Sequence, residues 1–251
     1  MFSPEGPTFR ELAVQALSSV ERGYDLLAPK FDHTPFRTPD TILDAVASAL
    51  DRLGPFDDGL DLCCGTGAGL DVLERVCRGS VTGIDISAGM LEVARQRTGE
   101  RTGGPRVSLV RGDARALPFT TTAAPAPAFD LVVSFGAFGH FLPGELPGLF
   151  AQVHSVLRPG GRFAFPLVAP ARPGTRAYWA LLGFDAVMRV RNAVWKPPFV
   201  MYYRAFRLAD VRRELTYAGF DVETCALPEF GRRPDGSPRC RMVVATRTPA
   251  G

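Results

Sequence analysis

The chain has 251 residues, a formal net charge of +3, 46% hydrophobic residues and 22% charged ones. That balance excludes wholesale disorder, and the mild basicity lacks the concentrated face of a nucleic-acid binder. No stretch approaches the ~18 consecutive apolar residues of a membrane span. The N-terminus has no basic region followed by an apolar run, so no signal peptide is expected. An odd number of cysteines, five and none in a C-x-x-C pair, points to a reducing cytosol rather than a disulfide framework.

Taken in chain order, residues 8–54 are mainly helical by pattern. From residue 59 a short apolar run alternates with helix-spaced stretches. GLDLCC (59–64) leads into a helix over 69–77, and SVTGIDI (80–86) into one over 87–97 with Ser87 as its N-cap. RVSLVRG (106–112) and FDLVVSF (129–135) read as the next two strands. Leu146, Leu149, Phe150, Val153, Val156 and Leu157 form the buried stripe of a helix over 145–157, stopped by Pro159-Gly160-Gly161. GRFAFPLV (161–168) is a fifth strand, 208–219 a helix, and 220–227 with 241–247 a terminal hairpin-like pair. TTTAAPAPA (120–128) reads as an exposed loop. Strands alternating with helices imply a doubly wound, mostly parallel α/β sheet of the Rossmann-like kind, with seven strands and a terminal antiparallel strand. The expected organisation is a single domain: an N-terminal helical lid (1–57), a cofactor-binding core (58–169), a cap insert (170–207), and the last helix and strands (208–247).

The segment Asp61-Leu62-Cys63-Cys64-Gly65-Thr66-Gly67-Ala68-Gly69 lies at a strand-to-helix junction. Glycines let the turn tighten and the backbone approach a ligand, and the following helix aims its N–H groups at a carboxylate or phosphate. Asp85 ends the next strand, where an acid can accept both hydroxyls of a ribose. The competing reading is that these glycines merely pack helix against strand.

The G-x-G-x-G spacing, preceded by an acid, resembles that of the class I S-adenosylmethionine-dependent methyltransferases. The resemblance continues through VTGIDIS-x-x-M-L-x-x-A-R (81–95), RGDARALPF (111–119), FDLVVS (129–134) and VLRPGGRFAF (156–165). It implies S-adenosylmethionine as cofactor and S-adenosylhomocysteine as product. By position it implies Asp61, Gly65 and Gly67 at the methionine end, Asp85 on the ribose, and Ile86 and Met90 flanking the adenine. Asp113 and Ala114 would meet the adenine amino edge, with Ser134 and Phe135 beside the transferable methyl. Met90 at helical spacing is equally compatible with ordinary core. The phrase GYDLLAPKFD (23–32) is similar to an opening segment of small-molecule members. It has Phe31 where a second tyrosine is common, which leaves Tyr24 as the hydroxyl contact, with Arg37 nearby for the cofactor carboxylate.

A sulfonium already activates its methyl, so alignment of the acceptor matters most, and a base is needed only where the acceptor must lose a proton. Of three histidines, His154 is expected exposed and His33 without a partner. His140 follows the fourth strand, where an open sheet presents its crevice, and is the candidate base. No N-P-P-[YF] run follows Ser134, and no clustered acids suggest a magnesium site, so no metal is expected. The insert 170–207 holds eight aromatics and seven basic residues against one acid, Asp185. Trp195, Tyr202, Tyr203 and Arg204 are its candidate acceptor contacts, suited to a hydrophobic molecule bearing an anionic group, unless the aromatics form the core of the cap itself. The expected function is therefore methyl transfer to a small, hydrophobic organic acceptor, the atom methylated left open. The alternatives are a cofactor-binding protein of the same fold that transfers no methyl, and a nicotinamide oxidoreductase, which the glycine spacing disfavours.

Overall fold

A computed structural model describes residues 5–99, 103–119, 129–202 and 206–248. Helices α1 (Phe9–Leu17), α2 (Val20–Leu27) and α3 (Asp40–Asp51) come first, with a 3-10 turn over Ala28–His33. The alternating core follows as β1 (Phe56–Leu62), α4 (Ala68–Val76), β2 (Cys77–Asp85), α5 (Ala88–Gly99), β3 (Arg106–Arg111) and β4 (Phe129–Val133). It continues through α6 (Leu146–Val156) and β5 (Leu157–Val168). Helix α7 (Arg176–Val194) interrupts before α8 (Leu208–Tyr217), β6 (Phe220–Ala226) and β7 (Cys240–Arg247).

The seven strands order as β3-β2-β1-β4-β5-β7-β6. β1 to β5 run parallel, and β7 lies antiparallel between β5 and β6. Successive side chains on a strand point to opposite faces, and the core divides accordingly. Leu60, Val132, Phe163, Phe165 and Val243 pack with Phe150 of α6 and Leu215 of α8 on one face. Leu131, Val133, Ala164, Met242 and Val244 pack with Val46 of α3 and Leu73 of α4 on the other. Both faces of the central strands are covered, as a parallel sheet requires. Because α3 lies inside this second layer, the segment that sits over the strand ends is confined to α1, α2 and the 3-10 turn.

Several sequence expectations shift. β1 ends at Leu62, two residues early, because Cys63 adopts φ +59 and turns the chain out of the strand. β5 begins at Leu157, directly after α6. The insert contains the 19-residue helix α7, which periodicity missed because its apolar residues fall all round the helix. His154 is half-buried and edge-on to Phe220, with ring centroids 5.2 Å apart. His33 lies on the surface with Nδ1 3.4 Å from Glu5. The 120–128 loop lies outside the described residues. Among those described, no helix is long and apolar enough to cross a membrane.

Candidate active site

β1 has β2 on one side and β4 on the other, so successive connections leave it in opposite directions. That reversal opens a crevice at the C-terminal ends of β1 and β4. The glycine loop fills its rim. Gly65 (φ +52) and Gly67 (φ +89) are left-handed, Gly67 caps α4, and a Cβ at Gly65 would meet nothing within 4 Å. At Gly69 the backbone is pressed so close that a Cβ would stand 2.4 Å from Asp61 Oδ2 and 2.7 Å from the Phe135 ring.

Asp61 is 1% exposed, and neither carboxylate oxygen has a hydrogen-bond partner among the described residues. Burial, then the charges of Asp85 and Asp71, pushes its pKa well above the ordinary carboxylate range. A buried acid left unmet is costly. A cation beside it, such as the ammonium of an amino acid, would satisfy it, and the start of α4 offers N–H groups to the accompanying carboxylate. The donor set therefore fits the methionine end of S-adenosylmethionine.

Asp85 is more elaborately held. Its Oδ2 accepts from the Gly65 N–H and its Oδ1 from the Ser87 N–H, both at 2.9 Å. Burial raises its pKa against the lowering effect of these donors. Each oxygen keeps a free lone pair, the requirement for taking two ribose hydroxyls. Beyond it Ile86 is half-buried, and Met90 is buried at the first turn of α5, where its N–H donates to Ser87 Oγ at 3.1 Å. Asp113 accepts from the Arg115 N–H at 2.9 Å and pairs with its guanidinium at 3.2 Å. Ala114 is buried with Ile84 and Leu117. Ser134 is buried and donates to the Leu62 carbonyl at 3.0 Å, so its hydroxyl braces β4 against β1, while Phe135 covers Gly69.

The N-terminal segment is fastened over this crevice at separate points. Asp25 Oδ1 accepts from Ser87 Oγ at 2.6 Å and from the Gly89 N–H at 2.9 Å, capping α5 from outside. Thr66 of the glycine loop donates to Asp32 at 2.7 Å, and Arg97 bridges Asp32 and Asp71 at 3.2 and 2.7 Å. Arg37 is committed to Asp40 at 2.6 Å, with Asp32 3.8 Å away.

The third fastening is His140, half-buried in a 3-10 turn that follows β4. Its Nδ1 faces the Val200 carbonyl at 2.8 Å, which assigns the proton to Nδ1 and leaves Nε2 as the acceptor for the Tyr24 hydroxyl at 2.9 Å. Burial, more than any neighbour, lowers its pKa, so the neutral ring is favoured. The cap closes around the same pair. Tyr24 stacks on Phe199 with centroids 6.2 Å apart, beside Met188, Met201 and Tyr202. Tyr202 is buried there, donating its N–H to the Gly139 carbonyl at 2.8 Å, with the Arg189 guanidinium 4.5 Å from its ring. Its side chain is thus core of the cap. Trp195 is exposed and donates from its indole to the Leu17 carbonyl at 3.0 Å, pinning α7 to α1 instead of facing His140. Tyr203 and Arg204 lie outside the described residues.

A family model for a methyltransferase domain matches residues 60–161. The chain is 36% identical over 154 residues to a demethylmenaquinone methyltransferase of Symbiobacterium thermophilum, covering 57% of this chain and 59% of that one. It is 31% identical over 139 residues to a 2-phytyl-1,4-naphtoquinone methyltransferase of Nostoc punctiforme, covering 53% and 56%. Its fold matches the crystal structure of magnesium protoporphyrin IX methyltransferase from Synechocystis PCC 6803 with bound SAH, at 21% identity and a TM-score of 0.55 over 82% of each chain. Over residues 60–161 the chain is similar to a methyltransferase domain, in line with the resemblance read from its sequence. It spans little more than half the length of these curated relatives.

The fastening groups Asp25, Asp32, Thr66 and the Val200 carbonyl stand outside the residues expected from sequence. The paired phrases Tyr24-Asp25 and Phe31-Asp32 carry a sequence signal for the two aspartates. No sequence signal marks a backbone carbonyl.

Proposed function

We propose that this chain is an enzyme that transfers a methyl group from S-adenosylmethionine to a small, hydrophobic organic acceptor. The observation that carries this reading is the pair of acids at the switch-point crevice, Asp61 buried with no hydrogen-bond partner among the described residues and Asp85 half-buried with free lone pairs. Asp61, Gly65 and Gly67 hold the methionine end, with Arg37 near the carboxylate through the Asp32–Thr66 contact. Asp85 takes the ribose, Ile86 and Met90 the adenine faces, and Asp113 with Ala114 its amino edge. Ser134 and Phe135 shape the floor beside the sulfur.

When bound, the cofactor supplies an electrophilic methyl on its sulfonium. The protein's own contribution is alignment and exclusion of water, together worth about 7–11 kcal/mol where the geometry is right. For an acceptor that must lose a proton, Tyr24 Oη receives it while passing its own to His140 Nε2, and the Val200 carbonyl steadies the ring through Nδ1–H. The acceptor class follows from the apolar cap and from relatives named for quinones. The segment before α3 acts as lid, 58–169 as cofactor core and 170–207 as cap, with Tyr203 and Arg204 as acceptor contacts. Five unpaired cysteines suit a cytoplasmic setting.

Calorimetry with S-adenosylhomocysteine tests the cofactor half of the proposal. Transfer of a labelled methyl to a demethylated naphthoquinone tests the catalytic half. Tight cofactor binding without transfer to any acceptor would favour the non-methylating alternative.

A further inference from the structure

α7 is apolar on two faces, and the fold uses only one. Inward, Met188 and the partly buried Phe184 join the cap cluster. Outward, Trp179, Gly183, Val187, Val190 and Val194 follow at steps of four, four, three and four residues, which places them in one stripe along the helix. Trp179 is 60% exposed, Val187 66%, Val190 64% and Val194 78%. A 19-residue helix is about 28 Å long at 1.5 Å per residue, so the stripe is a continuous apolar face and not a scatter of single residues.

The charges around this face have one sign. Arg189 and Arg191 flank the stripe on either side by helical position, and Arg176 and Lys196 stand at its two ends. Arg191 spends its donors on the carbonyls of Ala16, Ser18 and Pro197, and Arg189 lies over the Tyr202 ring, so neither charge is neutralised. None of the four forms an ion pair among the described residues, and the single acid of α7, Asp185, is buried.

From this we propose that the outer face of α7 docks on an anionic lipid surface, lying in the plane of the interface. A wide apolar stripe with basic flanks and a tryptophan is the composition that seats a helix at the headgroup boundary. A two-fold pairing of this face with a second copy would bring the same cationic flanks together, whereas anionic headgroups complement them. The inference stands apart from the methyl-transfer reading, since it needs neither cofactor nor acceptor.

Of the chain's two tryptophans, Trp179 lies on this face and Trp195 is pinned to Leu17, so intrinsic fluorescence of a Trp195→Phe variant reports this face through Trp179. The expected result is a blue shift and co-sedimentation with phosphatidylglycerol-containing vesicles, weakened by added salt and absent with pure phosphatidylcholine. Val187→Glu with Val190→Glu, both at exposed positions, should lower vesicle partitioning by roughly tenfold or more, with unchanged S-adenosylhomocysteine affinity and unchanged melting. Wild-type protein that ignores the anionic vesicles overturns the proposal. So does a solution dimer that the double substitution dissociates, which would assign the face to a second copy.

Discussion

The Tyr24 hydroxyl stands 2.9 Å from His140 Nε2, a contact between residues 116 positions apart. It joins the N-terminal segment to the loop after β4, and the Val200 carbonyl on the other ring nitrogen ties in the cap. The N-terminal segment, the sheet's β4 loop and the insert after β5 therefore meet at one imidazole. The ring depends on both neighbouring segments for its orientation.

His140→Ala should lower kcat by roughly 10²–10⁴-fold for an acceptor that loses a proton, and Tyr24→Phe should follow it, with S-adenosylhomocysteine affinity nearly unchanged. Partial burial holds the ring's pKa below its ordinary value, so it is a free base at neutral pH. Activity should fall as acid protonates Nε2, with the limb below the usual value of about 6.5. A full pH series in which His140→Ala stays within about twofold of wild type would remove it as the base.

Asp85→Ala removes two things together: the expected ribose acceptor and the anchor for the Gly65 and Ser87 N–H groups. The loss in cofactor affinity should reach about 1.5–3 kcal/mol, the scale of a charge-assisted hydrogen bond. A lower melting temperature should accompany it, because two backbone donors lose their acceptor. Calorimetry giving wild-type affinity in a folded variant would take Asp85 off the ribose.

Most of this site was legible because its parts are local. Asp61, the glycines and Asp85 sit at fixed distances along consecutive elements, so strand period and turn chemistry place them. The cap was not legible in the same way. Tyr202 and Trp195 are both aromatic residues in a basic segment, yet one is buried in the cap and the other reaches back to Leu17. Nothing in composition distinguishes those fates, because they depend on which face of α7 meets α1 and Tyr24. His154 illustrates the same limit: one step off its stripe, it was covered by Phe220 from a strand 66 residues later in the sequence.

Asp61 makes a prediction about protons. Its folded pKa is raised, so between the unfolded value, about 3.9, and the folded one, the native state holds a proton that the unfolded chain has lost. Stability should therefore decline as pH rises through that window, and Asp61→Asn should flatten the decline. A cation bound beside the carboxylate reverses the preference, so S-adenosylhomocysteine should bind with release of a proton, and more tightly as pH rises. Calorimetry in buffers of different ionisation enthalpy counts that proton; the same count in Asp61→Asn would locate its source elsewhere.

Cys63 is the one non-glycine with positive φ among the described residues, at +59, and it stands at the bend where β1 releases the chain into the cofactor loop. An L-residue held there costs about 1–2 kcal/mol, partly offset by the greater freedom glycine has in the unfolded chain. Its side chain also packs against the core, so removing it has a separate cost. Comparing Cys63→Gly with Cys63→Ala cancels much of that cost, since both lose the sulfur and only one keeps the Cβ. The glycine variant should be the more stable of the two by about 1 kcal/mol, or about 2–4 °C in Tm, and should keep its affinity for S-adenosylhomocysteine. If the alanine variant melts as high or higher, the bend is held without strain, and the cysteine is tolerated there for its packing.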